Sequence, residues 1–89
     1  MDMDTGTMAD AIRRLRRIEG QVAGIIRMIE SQRECRDVVT QISAASKALD
    51  QVGFKLVASS LRTCLANQDS GNEAGYSAEE LERLFLKLA

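Results

Sequence analysis

The sequence contains no histidine, no proline and no tryptophan, and its aromatic residues are two phenylalanines and one tyrosine among 89 residues. Without an imidazole, Ser-His-Asp and Cys-His catalysis are excluded, as is any metal site with a His ligand. The lack of proline and the presence of only six glycines exclude collagen-like and Pro-rich linker classes. Abundant Ala, Leu, Ile, Arg, Glu and Gln point instead to an all-α fold. No Gly-rich phosphate loop is present, so no cofactor is expected. No apolar run reaches transmembrane length, and Met1 is not followed by a charged segment and a hydrophobic stretch. A cytoplasmic location without membrane contact is therefore expected. In a reducing cytosol the two cysteines read as free thiols with reactive or ligand roles, with a pair of inert core thiols as the alternative. A single domain this short buries a limited core and is expected to need a partner subunit.

A net charge of -1 conceals an uneven distribution. Residues 1–10 carry three acids and no base, residues 11–66 carry ten bases against five acids, and residues 67–89 carry five acids against two bases. Residues 1–7 are polar and read as a disordered N-terminal arm, with residues 8–89 as one helical domain. Thr7 and Asp10 form a weak capping-box variant that would start a helix near Met8. Ile12, Leu15, Ile18, Val22, Ile25 and Ile29 then recur at helical spacing, with Gly20 and Gly24 read as sites of close backbone approach. Ser31 with Glu34 is a second capping-box candidate at a break between helices. Val38, Ile42, Ala45, Leu49, Val52 and Leu56 mark a second helix about 30 residues long, too long for a small monomer to bury at both ends. Asn67 to Tyr76 reads as a polar loop. Ser77 with Glu80 opens a third helix whose one side carries Leu81, Leu84, Phe85 and Leu88.

Cys35 and Cys64 stand 29 positions apart on the second helix. At about 1.5 Å rise per residue their Cα atoms are roughly 43 Å apart if the helix is continuous, whereas a disulfide requires about 7 Å or less. Two copies of the helix packed antiparallel about a two-fold axis place Cys35 beside the partner's Cys64, twice. The same register sets Val38 against Leu61, Ile42 against Val57 and Ala45 against Phe54, all apolar. Ala44, Ala45, Ala48 and Gly53 would allow close approach near the axis. Cys35 lies in the first turn of its helix between Arg33 and Arg36, surroundings that favour thiolate over thiol. It is expected to attack, and Cys64 to resolve.

Arg13, Arg14, Arg16 and Arg17 crowd one and a half helical turns, and no acid is expected to compensate them until Glu19. A solvated face is the simplest reading of such a run. Repeated in an oligomer, it would form a continuous phosphate-binding surface, and the scarcity of aromatics favours duplex over single-stranded nucleic acid.

The run RLRRIEGQVAGI, the setting ECRDVVTQISA of the first cysteine and LRTCL around the second resemble the copper-sensing operon repressor (CsoR/RcnR/FrmR) family of bacterial transcriptional regulators, over roughly Met8 to Leu88. The resemblance implies a three-helix chain forming an antiparallel helical-bundle dimer and a dimer of dimers, a homotetramer without a helix-turn-helix. It implies binding of operator double-stranded DNA through a basic face and release when an inducer reaches a site between subunits. Copper sensors of the family place a His four residues before the second Cys, and here that position is Ser60. The branch most similar is the persulfide-sensing (CstR-type) one, which keeps only the two cysteines. The resemblance therefore implies a repressor responding to sulfane sulfur donors through a Cys35–Cys64 di- or polysulfide bridge. The alternative is a Cu(I) sensor using Cys35 and Cys64 as thiolates, and a thiol enzyme such as a sulfurtransferase is a more distant reading. Arg14 matches the family's DNA-contacting arginine, and Arg13, Arg16, Arg17, Lys47 and Lys55 complete the expected patch. Glu34, Ser60 and Glu80 occupy positions that surround the family's inducer site.

Overall fold

The computed structural model describes residues 4–66 and 76–89, so the first three residues and the expected loop, up to residue 75, lie outside the described part. Three helices follow in order, α1 (Thr5–Glu30), α2 (Cys35–Ala66) and α3 (Ala78–Leu88). No strand occurs among the described residues.

Helix α1 begins three residues before the expected start at Met8, and residues 5–7 of the expected arm are helical. Asp4 is the N-cap: its backbone is extended and its Oδ1 accepts the Thr7 amide hydrogen at 2.6 Å. A carboxylate at a helix N-terminus meets both an unpaired N–H and the positive end of the helix dipole, which makes it a stronger cap than Thr7. That same amide bond is the main reason the Asp4 carboxyl titrates below the ordinary aspartate range. The Thr7 hydroxyl is used elsewhere, 3.2 Å from the hydroxyl of the buried Ser59 on α2.

Ser31 does not cap α2 as its pairing with Glu34 predicts; it closes α1. Its amide donates to the Arg27 carbonyl and its hydroxyl donates to the carbonyls of Arg27 and Met28. Gln32 follows with φ 59°, the Gln32 amide donates to Ile29, and the Arg33 amide donates to Met28. This is a Schellman ending, built on a glutamine where glycine is usual. The tight reversal leaves Glu34 to start α2, its carbonyl accepting from the Asp37 and Val38 amides. Helix α3 opens as expected, with Ser77 Oγ accepting the Glu80 amide at 3.1 Å.

Helix α2 is the spine, packed against α1 and α3, which do not pack on each other. Phe85 tilts against Phe54 with ring centroids 5.1 Å apart. Gly53 has its place here: a Cβ on it would lie 2.7 Å from Leu88 Cδ2. The missing side chain thus admits α3 of the same chain, whereas composition suggested close approach of two α2 copies. Gly20, also expected at a close approach, has nothing within 4 Å of a would-be Cβ. Gly53→Val should force α3 away and cost about 1–3 kcal/mol of stability by overpacking. The measurement is thermal unfolding, with a clear drop in Tm as the outcome.

The chain measures 57 × 25 × 13 Å, so its thickness is that of one helix, about 10–12 Å. One layer cannot enclose a core. Among the described residues the buried apolar ones are only Ile18, Val38, Ala45, Val52 and Leu81, although stable domains pack at least two layers.

Candidate functional site

Both cysteines lie on the uninterrupted α2, Cys35 as its first residue and Cys64 two residues before its end. The Cys35 thiol is free and exposed. Of its flanking arginines, Arg33 leans to Asp37 across 3.6 Å and Arg36 has no ion-pair partner among the described residues. The unbroken helix keeps the two thiols at opposite ends of one chain, too far apart to share a bond or an ion. No three of the described Asp, Glu and Cys residues converge into a group that could hold a metal.

The other residues expected near the thiols divide between the same two ends. Glu34 is exposed at the start of α2. Half-buried Ser60 lies one turn before Cys64, beside Ser59, and positions four apart share a helix face. Phe85 on Phe54 and Leu88 on Gly53 lay α3 along the C-terminal half of α2. Glu80 consequently belongs with the Ser60 and Cys64 half, far from Glu34 and Cys35.

On one side of the slab an apolar groove of about 670 Å³ is lined by Leu15, Ile18, Val22, Ala23, Ile26 and Leu49, with Glu19 the one charged residue at its wall. Ile26 is 52% and Leu49 48% exposed. Ile12, Ile29, Val39 and Ile42 are exposed as well. Of the residues that the expected register sets between two α2 copies, Val38 and Ala45 are already buried within the chain and Phe54 is engaged by Phe85, while Ile42, Leu49 and Leu61 remain open.

The basic residues of α1 occupy the arc away from this stripe. Arg14 Nε donates to Asp10 Oδ2 at 2.8 Å, and Arg13 Nη2 pairs with Asp10 Oδ1. The run is thus compensated from the turn before it, contrary to the expectation that no acid answers it until Glu19. Spacing alone carries the signal, since Asp10 stands three and four residues before the two arginines. The Asp10 carboxyl titrates below the ordinary range, chiefly because it accepts from Arg14 and next because it accepts from Arg13. Arg16 and Arg17 have no ion-pair partner among the described residues and are exposed. Lys55 lines a cleft of about 350 Å³ with Asp4, Thr7, Asp10 and Arg62. Lys47 is exposed two turns earlier on α2, about 80° away around the helix. Composition did not mark Arg62, which belongs to this surface.

The arrangement is a thin helical plate with one apolar side, cationic groups along α1 and a thiol at each end of its longest helix. The sequence profile of the metal-sensitive transcriptional repressors matches residues 7–87, nearly the whole of this plate. The chain belongs to that family. It is similar to the copper-sensing transcriptional repressor CsoR of Bacillus subtilis, with 38% identity over 74 residues covering 83% of this chain and 73% of that protein. It is also similar to the copper-sensing transcriptional repressor RicR of Mycobacterium tuberculosis, 53% identical over 53 residues, or 60% of this chain and 55% of RicR. The chain thus spans just over half of RicR. CsoR of Mycobacterium bovis is 34% identical over 71 residues, covering 80% of this chain and 60% of that protein. The family is one of metal-sensitive transcriptional repressors, and each of these relatives is named a transcriptional repressor. Among its described residues no helix is long and apolar enough to cross a membrane.

Proposed function

We propose that this repressor responds to reactive sulfur species through Cys35 of one chain and Cys64 of another, and that the bridge between them releases operator DNA. The observation carrying this reading is the continuity of α2, which leaves the two thiols only an intermolecular meeting. The Cys35 thiolate attacks the outer sulfur of a persulfide R–S–SH, forming an S–S bond and expelling R–S⁻. The partner's Cys64 thiolate then attacks the Cys35 sulfur and expels hydrosulfide, leaving a disulfide; a longer sulfur chain remains when the donor is a polysulfide. The bridged form weakens DNA binding by linkage if it is strained in the DNA-bound arrangement, and coupling of about 1–3 kcal/mol gives a roughly 5- to 150-fold loss of affinity.

Paired across chains, two thiolates form a soft donor set, and Cu(I) is the second reading. The names of the relatives favour it, since each is called copper-sensing. Ser60 argues the other way, because a hydroxyl is a hard and weak donor for Cu(I) where a third soft ligand would strengthen the site. Titration with Cu(I) and with polysulfide, each followed by operator binding, separates the two. Release by polysulfide alone supports sulfur sensing, and release by tightly bound Cu(I) alone overturns it.

The DNA surface in this reading comprises Arg13, Arg14, Arg16 and Arg17, extended by Lys47 and Lys55, on a homodimer or homotetramer. Arg14→Ala should weaken duplex binding and flatten the dependence of log K on log salt by about 1 per lost phosphate contact. An unchanged slope would place the DNA elsewhere.

A further inference from the structure

Asp10 is an acidic residue set inside the basic surface, and its position bears on specificity. Its two carboxylate oxygens hold Arg13 and Arg14 separately, and it shares a cleft with Asp4, Lys55 and Arg62. We propose that Asp10 is a specificity-determining residue, suppressing sequence-independent DNA binding by tethering two arginines of the contact face. This rests on the DNA-binding reading above.

Non-specific binding is almost entirely electrostatic and grows with each cation free to meet a phosphate. A guanidinium already bonded to a carboxylate contributes less to that sum, because its charge is offset and its direction is set. Arg14 is about one-third exposed at its side chain and gives its Nε–H to Asp10. A guanidinium has five N–H donors in a fixed fork, so the terminal nitrogens of Arg14 remain available along one direction. A complex in fixed register can bring a phosphate to that position. A sliding complex, with phosphates passing at varying offsets, gains little from a side chain that cannot follow them. Asp10 therefore costs the non-specific complex more than the specific one, and the ratio between them rises.

The test uses the full-length oligomer and two probes, a random-sequence duplex of roughly 30 base pairs and a duplex of equal length selected from a random pool by the wild-type protein. Asp10→Asn removes the charge that holds both arginines while keeping the size of the side chain. It should tighten random-duplex binding about tenfold and steepen its log K against log salt slope by about 1–2, one for each released arginine. Binding of the selected duplex should change less than threefold, and Asp10→Glu should restore the wild-type ratio. Unchanged or weaker random-duplex binding by Asp10→Asn, or equal tightening on both probes, overturns the proposal. Arg14→Ala keeps the two failures apart. If it alters neither probe, the DNA-binding reading itself falls; if it weakens both while Asp10→Asn leaves the ratio unchanged, only the role of Asp10 falls.

Discussion

Treated with a polysulfide, the protein should become a covalent dimer on non-reducing intact-mass analysis, and the single-cysteine variants should decide which thiols are joined. Cys35→Ser alone and Cys64→Ser alone should each yield no covalent dimer. A mixture of the two variants, exchanged through unfolding and refolding, should regain one bridge per dimer, because Cys35 survives on one chain and Cys64 on the other. The reasoning is geometric. The two thiols lie 29 residues apart on one helix, and only an antiparallel partner brings unlike ends together. Release from operator DNA should follow the same pattern, full in wild type, absent in each variant and partial in the mixture. Bridging by Cys64→Ser alone would mean that Cys35 meets Cys35, and would remove the antiparallel model.

The second large effect is expected at the apolar groove. Each large aliphatic side chain moved from water to a core contributes about 1.5–3 kcal/mol. Ile12, Leu15, Val22, Ile26, Ile42 and Leu49 all stand exposed on the single chain. Their burial against a second layer would contribute as much as the whole stability of an ordinary domain, about 5–15 kcal/mol. Leu49→Glu should therefore unfold the protein as well as dissociate it, since a buried carboxylate without a partner adds its own cost. Sedimentation with far-UV circular dichroism checks both. The wild type should show no stable monomer at micromolar concentration, and Leu49→Glu should lose cooperative helix. A well-folded wild-type monomer would show that one layer suffices and would sink the shared thiol site.

Much of the fold was legible because helices are local. The apolar spacing from Ile12 to Ile29 and from Val38 to Leu56 announced α1 and α2, and Ser77 announced the start of α3. Cap assignments were less legible. Asp4, Thr7 and Asp10 all have the chemistry of a cap or its partner, and the choice depends on which of them has something better to bond. Thr7 finds Ser59, 52 residues away, and Asp10 finds Arg13 and Arg14, so Asp4 is left to close the helix end. Ser31 misled for a related reason: a hydroxyl accepts at an N-terminus and donates at a C-terminus, and the same residue type serves both.

By itself the sequence determined three helices, their order, the separation of Cys35 from Cys64 along α2 and the family to which they belong. Periodicity and spacing act within a few turns and are written in neighbouring residues. Only the tertiary structure decided that Gly53 makes room for Leu88 and that Phe54 is engaged by Phe85 of its own chain. Only there does the plate prove one helix thick, with a continuous apolar side. These depend on which side chains meet when helices pack. That is set by distances across space, where glycine at one position and leucine 35 residues later become a single contact.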